Sequence, residues 1–149
     1  MGEILAICIS KRKGTPKKPV NSAVLVENYG FEHDAHAGNL HRQVSLLSSD
    51  RIEDFRRRGF VAPFGCFGEN LVVRDIDLVT LPVGTRFACG DALLEMTQIG
   101  KECHNHCQIY HAVGECIMPT QGVFAKVLRG GVITTGADLA VLPPEIQGQ

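Results

Sequence analysis

The chain has 149 residues, of which 44% are hydrophobic and 21% are charged, and its formal net charge is -1. This length fits one domain of the commonest size, so we expect a single domain over residues 1–149. A net charge so close to zero provides no long-range field that would gather a polyanion. It therefore argues against sequence-independent binding of nucleic acid or of a membrane surface.

The N-terminal stretch MGEILAICISKRKG places its apolar residues before its charges, the reverse of the order in a signal peptide. The chain also lacks the run of about 20 apolar residues that a transmembrane helix needs. Six cysteines in such a chain indicate a reducing compartment, where thiols serve as ligands, nucleophiles or small buried hydrophobes. We therefore expect a cytoplasmic protein.

Short apolar runs separated by glycine and proline indicate a mainly β chain, because such runs suit strands of about five residues. The predicted strands are Glu3–Ser10, Ser22–Asn28, Gln43–Leu47, Asn70–Val73, Thr85–Cys89, Ala92–Ile99, Val123–Leu128 and Leu139–Leu142. Closing a sheet removes the unpaired edges that promote aggregation, so the expected architecture is a closed or partly open β-barrel with one or two short helices.

Two polar segments flank the second predicted strand. The first is a basic loop with a third of the chain's fifteen lysines and arginines, at positions 11, 12, 13, 17 and 18. Such a run is usually a solvated loop, and we interpret it as one. The second segment, EHDAHAGNLHRQVSL, contains His33, Asp34 and His36, which either line a binding site or form an ordinary polar turn before a strand.

One segment after the third predicted strand is expected to be helical. Asp50 is a suitable N-cap, and Glu53 follows three residues later. Arginines at positions 56–58 and then Gly59 mark the C-terminal end. Further along, Gly90-Asp91 predicts a tight hairpin between its flanking strands.

Three polar residues at predicted strand starts are candidates for ligand binding. Arg42 carries a planar fork of donors that suits a phosphate, although an ordinary salt bridge fits the sequence equally well. Glu69 and Asn70 follow Gly68 directly before a strand. Asn70 either caps its own turn or contacts a ligand.

The segment Gly100–Gly122 concentrates three cysteines and three histidines. One interpretation is a structural zinc site of Cys103, Cys107 and Cys116, although the spacing is not that of paired Cys-x2-Cys motifs. A second is a thiol-redox pair of Cys103 and Cys107. A third makes Cys103 a reactive thiolate, whose pKa Lys101 and His104 would lower, able to ligate a soft metal or to carry sulfur as a persulfide.

A series of short motifs runs along nearly the whole chain. They are Ile9-Ser10 with Lys13-Gly14, Asp34–Gly38, Arg42–Leu46, Phe67–Leu71, Leu81–Thr85, Gln98–His104, Gly122–Val127 and Gly130-Gly131. In this order and at these distances they resemble the motifs of the MOSC domain family, and the chain is similar to its short bacterial stand-alone branch. Two positions differ from family patterns: Cys103 follows Gly-Lys-Glu where the other branches have Arg-x-Pro, and His33 stands where a glycine is more usual.

The resemblance implies a MOSC-like β-barrel that binds a molybdenum–molybdopterin cofactor or handles its sulfur. Cys103 matches the family's cysteine and is the expected catalytic residue and metal ligand. The residues expected to hold the cofactor are Arg42, Asn70, Glu69, His36, Asp34, Lys101 and His104. Zinc held by the three cysteines of a non-catalytic interaction module is the alternative.

The family also suggests what acts beside the chain. Its larger members are molybdenum cofactor sulfurases or molybdenum-dependent reductases, so either activity is an expectation for this protein. No pyridoxal phosphate site is expected within 149 residues. A separate cysteine desulfurase or molybdoenzyme is therefore the expected protein partner, and the pterin cofactor the expected small-molecule partner.

Overall fold

The computed structural model describes residues 2–12, 16–35, 37–38, 42–100, 117 and 121–143. Within these residues the strands are β1 (Gly2–Ile9), β2 (Lys18–Val20), β3 (Ser22–Val26), β4 (Gly30–Phe31), β5 (Val44–Ser48), β6 (Leu71–Arg74), β7 (Arg86–Cys89), β8 (Ala92–Ile99), β9 (Val123–Arg129), β10 (Gly131–Thr134) and β11 (Asp138–Leu142). The helices described are α1 (Ser49–Arg57) and a short 3-10 helix (Leu78–Thr80). The chain is mainly β, as predicted.

Seven strands close into a barrel in the order β11-β7-β8-β9-β5-β6-β1. The barrel closes where Gly2 of β1 pairs with Leu139 of β11. Neighbouring strands of the barrel are antiparallel except for β5 and β6, which run parallel. Strand β2 extends the sheet beyond β1, and β10, β3 and β4 form a second, three-stranded sheet. The predicted barrel is therefore confirmed.

Two layers of apolar side chains stabilise this architecture. The first fills the barrel, and Leu25, Phe31 and Ile133 of the small sheet pack into the same cluster. The second layer lies outside the barrel, where α1 packs through Ile52 and Phe55 against apolar side chains of β1, β5, β6 and β9. Strand β5 is buried along its whole length because it is covered on both faces, which explains its continuous apolar run.

Three strands escaped prediction from the sequence, each for a physical reason. Lys18–Val20 contains a proline, which cannot donate to a ladder and so argues against a strand except at a sheet edge. Gly30–Phe31 is too short to show any periodicity. Gly131–Thr134 follows another glycine and resembles a loop in composition. The predicted hairpin at Gly90-Asp91 is confirmed, since Cys89 pairs with Ala92.

The predicted cap of α1 is wrong by two residues. Ser48 occupies the N-cap position, and Asp50 lies in the first turn of the helix. The Ser48 hydroxyl does not cap α1, because it donates to the carbonyl of Ile76 at 2.7 Å and accepts the N–H of Leu78 at 3.1 Å. Tertiary anchoring of the 3-10 helix therefore takes precedence over local capping.

Two glycines with nearly equal φ provide a matched test of packing at the turn after α1. Gly65 has φ +94° and Gly59 has φ +95°, but a Cβ at Gly65 would lie 2.1 Å from the carbonyl oxygen of Lys17, whereas a Cβ at Gly59 would meet nothing within 4 Å. We expect G65A to lower the free energy of unfolding by about 2–5 kcal/mol, from left-handed strain plus overpacking. G59A should cost only the strain, about 1–2 kcal/mol. Urea unfolding of both variants measures the difference, and equal losses would contradict this account.

Candidate functional site

The topology brings the predicted site residue Asn70 close to Ser10 at one end of the barrel. Strand β6 lies between β1 and β5, parallel to β5 and antiparallel to β1. The end of β1 and the starts of β5 and β6 therefore lie together. Asn70 directly precedes β6, and Ser10 directly follows β1.

Asn70 is a fully buried hub that joins these strand ends. Its Oδ1 accepts the N–H of Ser45 at 2.9 Å, and its Nδ2 donates to the carbonyl of Cys8 at 3.0 Å. The Asn70 amide also acts to lower the pKa of Asp34. Because Asn70 is fully buried, a cofactor could reach it only after a rearrangement of these contacts, and the predicted binding role of Asn70 stays a prediction.

Lys17 and Asp34 form an ion pair whose two side chains are fully buried, with 2.8 Å between Nζ and Oδ1. Asp34 Oδ1 also accepts the backbone N–H of Ser10 at 3.0 Å, and Lys17 Nζ donates to the Ser10 hydroxyl at 3.1 Å. Burial acts to raise the pKa of Asp34, but the hydrogen bond and positive charge of Lys17 outweigh it and lower that pKa. Lys17 therefore corrects the interpretation of the basic loop as wholly solvated.

Glu69 is fully buried and holds the turn that precedes it. Its carboxylate accepts the N–H of Gly65 at 2.9 Å and that of Phe67 at 3.0 Å. Burial raises the pKa of Glu69 to about 7, although backbone donors and Lys17 favour the charged form. These two hydrogen bonds account for the acidic residue within the motif Phe67–Leu71. The predicted contact of Glu69 with a cofactor stays a prediction.

Two thiols lie beside this polar network and were not singled out by the sequence. Cys8 and Cys66 are buried in the outer apolar layer. Burial, and secondarily the charge of Glu69, raises the pKa of Cys8 to about 12. Such a thiol stays protonated near neutral pH, so Cys8 is suited to packing and not to nucleophilic chemistry.

A cationic cleft of about 450 Å³ is lined in part by Ser10, which contacts both members of the buried ion pair. Its lining consists of Ile9, Ser10, Lys11, Arg12, Pro16, Lys18 and His33. Lys11, Arg12 and Lys18 are the cations of the basic loop that the sequence led us to regard as solvated, so the site was missed. The dense run of positive charge was the available signal. The fold arranges that run around a concave surface with two apolar side chains.

His33 contributes to the cleft from the turn after β4. Its φ is +69°, in the left-handed region where glycine is the least strained residue. This is the position at which the family pattern has a glycine. The imidazole is 81% exposed and lies 3.2 Å from the carboxylate of Glu32.

The remaining predicted site residues lie elsewhere or outside the described residues. Arg42 is exposed, and its guanidinium lies 5.7 Å from the ring centroid of Phe124, so its phosphate-binding role stays a prediction. Outside the described residues are His36, Lys101, Cys103, His104, Cys107 and Cys116. The described residues flanking the cysteine-rich segment do have contacts: Gly100 N–H donates to the Gly122 carbonyl at 2.6 Å, and Ile117 packs on the outer apolar layer.

A second cavity, of about 440 Å³, is less suited to an anion. Its lining is Ser48, Asp50, Arg51, Glu53, Asp54, Arg57 and Asp77. The arginines there already pair with carboxylates, as Arg51 does with Asp77 at 3.2 Å. The cleft beside β1 is therefore the better candidate for a phosphate-bearing ligand.

Comparison with known proteins identifies the family. Residues 33–140 match the family model described as the MOSC domain. The chain belongs to the MOSC domain family. The match begins at His33 and includes Asp34, Glu69 and Asn70 of the buried network.

Individual MOSC-like relatives are distant. The chain is 26% identical over 142 residues to the uncharacterized protein YflK of Bacillus subtilis (strain 168), and this match covers 87% of the chain and 63% of YflK. The YuaD protein from Bacillus subtilis has a similar structure, with a TM-score of 0.79, 18% identity and coverage of 97% of this chain and 98% of YuaD. YiiM from Geobacillus stearothermophilus has a TM-score of 0.73, 22% identity and coverage of 95% and 75%. These structural likenesses show the fold.

The described residues contain no group of three or more histidine, cysteine, aspartate or glutamate side chains arranged to hold a metal ion. The cysteines of the zinc alternative lie outside this part of the chain. Among the helices in the described ranges, none is long and apolar enough to cross a membrane.

The raised pKa of Glu69 predicts a loss of stability as pH rises. The folded protein binds a proton at Glu69 up to about pH 7, whereas the unfolded chain releases it near the ordinary value of 4.5. The free energy of unfolding should therefore fall as pH rises across this interval, with a slope that corresponds to a difference of up to about one bound proton between the folded and unfolded states. The E69Q variant cannot titrate and should lack this component. Denaturant unfolding from about pH 5 to about pH 8 provides the measurement.

E53Q is the matched control for E69Q, because it makes the same chemical change at a half-exposed glutamate on α1. A wild-type slope that persists in E69Q would contradict the role of Glu69.

Proposed function

We propose that this MOSC domain binds a molybdenum–molybdopterin cofactor and uses the Cys103 thiolate either to ligate the metal or to carry its sulfur. Family membership supports the cofactor class. The observation that carries the proposal onto the described residues is the cationic cleft beside β1. It is a concave surface of the size and charge expected for the phosphate end of a small organic ligand.

The donor chemistry of the cleft fits a terminal phosphate. Lys11, Arg12 and Lys18 supply charged donors, and Arg12 has the planar fork that matches phosphate oxygens. Ile9 and Pro16 supply apolar surface next to these donors. We therefore assign the phosphate end of the cofactor to this cleft. Arg42 and Asn70 do not line the cleft, and they stay predicted contacts to other parts of the cofactor.

Cys103 differs from the described cysteines in the residues that flank it. Lys101 and His104 are neighbours in sequence whose positive charge would lower the pKa of the Cys103 thiol. By contrast, burial and the negative charge of Glu69 raise the pKa of the Cys8 thiol. A thiolate is the form needed for both roles, since it ligates soft metals and accepts transferable sulfur.

When bound, the cofactor would supply a molybdenum centre with open coordination positions for a thiolate and for sulfur. The chain's own part is to hold the phosphate end through cations and to present a thiolate. If Cys103 carries sulfur, a separate cysteine desulfurase is the proposed donor and a molybdoenzyme the proposed recipient. If Cys103 ligates the metal, the proposed activity is that of a molybdenum-dependent reductase component.

Replacing the proposed thiolate tests its role directly. C103S should abolish retention of molybdenum and of labile sulfur in protein purified with its cofactor, because a hydroxyl neither ligates a soft metal well nor forms a persulfide. Elemental analysis, pterin fluorescence after oxidation and native mass spectrometry provide the readouts. C107S and C116S are the matched controls and should retain molybdenum, the pterin and labile sulfur.

Two outcomes would overturn this role of Cys103. One is full retention of molybdenum and sulfur by C103S. The other is stoichiometric zinc that is lost equally in all three cysteine variants together with the fold, which would favour the metal-stabilised module.

Charge removal in the cleft tests the phosphate assignment. We expect K11Q and K18Q each to weaken binding of the isolated cofactor about tenfold, the loss of one charge-assisted contact. K126Q is the control, because Lys126 lies on β9 and pairs with Glu95. Fluorescence titration with oxidised pterin phosphate and with its dephosphorylated form measures the effect. The two variants should weaken the binding of the pterin phosphate and leave the binding of the dephosphorylated pterin unchanged. Equal weakening of both binding reactions, or weakening of neither, would contradict the assignment.

A further inference from the structure

We propose that the buried Lys17–Asp34 ion pair is the positioning element of the cationic cleft, because it sets the relative placement of the two walls of the cleft. One wall is the basic loop with Lys11, Arg12 and Lys18, and the other is the turn after β4 with His33. This inference rests on the proposed function, since it takes the cleft to be the phosphate site. It adds Lys17, and it gives Asp34, which the sequence predicted as a direct cofactor contact, a positioning role in place of that contact.

The contacts of the pair join one wall of the cleft to the other. Lys17 lies between Pro16 and Lys18, and Asp34 follows His33, so each partner is adjacent to lining residues. Asp34 Oδ1 accepts both the Lys17 ammonium and the N–H of Ser10. The backbone adds a third connection, because Ala35 N–H donates to the Ser10 carbonyl at 2.8 Å. Both walls are thereby connected through Ser10.

The Lys17–Asp34 pair is also connected to the turn that precedes β6. The backbone N–H of Lys17 donates to the carbonyl of Gly65 at 2.7 Å. Gly65 in turn donates to the Glu69 carboxylate. The wall formed by the basic loop is thus attached to the start of β6, which belongs to the closed barrel.

Stability is a weak reason for such a pair. Desolvating two charges costs about as much as their attraction returns, and apolar replacements of similar volume are often neutral or stabilising. A direct electrostatic effect on an anion is also weak, because the two opposite charges lie 2.8 Å apart and largely cancel at a distance. Placement of Lys11, Arg12, Lys18 and His33 is the role that the geometry leaves.

The test is the double variant K17M/D34L, which keeps the net charge and approximate volume of the pair while removing its directional bonds. We expect its free energy of unfolding to equal or exceed that of the wild type, while its affinity for inorganic phosphate falls about tenfold. Phosphate binding is followed by nuclear magnetic resonance titration and stability by urea unfolding. A purely structural pair would change stability and leave the affinity of the folded protein unchanged.

Two further variants serve as controls. K17R/D34E retains the ion pair and should retain most of the phosphate affinity. R86M/E95L removes the partly buried pair between β7 and β8, again without changing net charge, and should leave phosphate affinity unchanged. Loss of affinity in R86M/E95L equal to that in K17M/D34L would overturn the positioning role.

A measurement on the wild-type protein covers the case in which K17M/D34L does not fold. Saturating phosphate should slow hydrogen exchange at the N–H groups of Ser10 and Ala35, which join the two walls, more than at Met96 in the barrel. Equal protection at all three would overturn the positioning role. Wild-type affinity in folded K17M/D34L would overturn that role alone, whereas absence of phosphate binding by the wild type would overturn the cleft assignment and the positioning role with it.

Discussion

Charge that is withdrawn from water must find a partner, and this constraint organises the outer layer of the protein. Lys17, Asp34 and Glu69 are the buried residues with ionisable polar side chains among those that the structure describes, and they lie beside the outer apolar layer. An unpaired charge there would cost several kcal/mol, so each group recruits donors or acceptors from another segment. The basic loop, the turn after β4 and the turn before β6 are thereby held against the same strand ends. The barrel provides the frame, and buried charge determines how its loops meet.

Much of the barrel could be predicted from local pattern alone. Alternating or continuous apolar runs and the Gly90-Asp91 turn are properties of neighbouring residues, and they located eight of the strands closely. What the pattern could not supply was long-range compensation. Ser48 loses its capping role to a partner 30 residues away, and β2 exists because an edge position tolerates Pro19.

The sequence identified several residues of the candidate site, but it did not predict which residues they contact. Asp34 stood out in a polar segment before a strand, and Glu69 and Asn70 stood out at a strand start. Their partners lie in distant segments, such as Cys8 for Asn70. Lys17 looked like one lysine among several in a solvated loop, and only the fold reveals that it turns inward while Lys18 faces the cleft. Position along the sequence cannot separate adjacent lysines that differ in burial. Cys103 stands on the family pattern, outside the described residues.

Strand β2 carries a consequence for solubility. It is the last strand of the eight-stranded sheet, and its sequence is Lys-Pro-Val. A short strand with a lysine and a proline is a common defence of a sheet edge against pairing with another molecule. Lys18 therefore has two roles: it lines the cleft, and it discourages pairing of the β2 edge with another molecule. Evolution toward a less basic cleft would have to preserve this protection by another residue, which restricts the changes that this family member tolerates there.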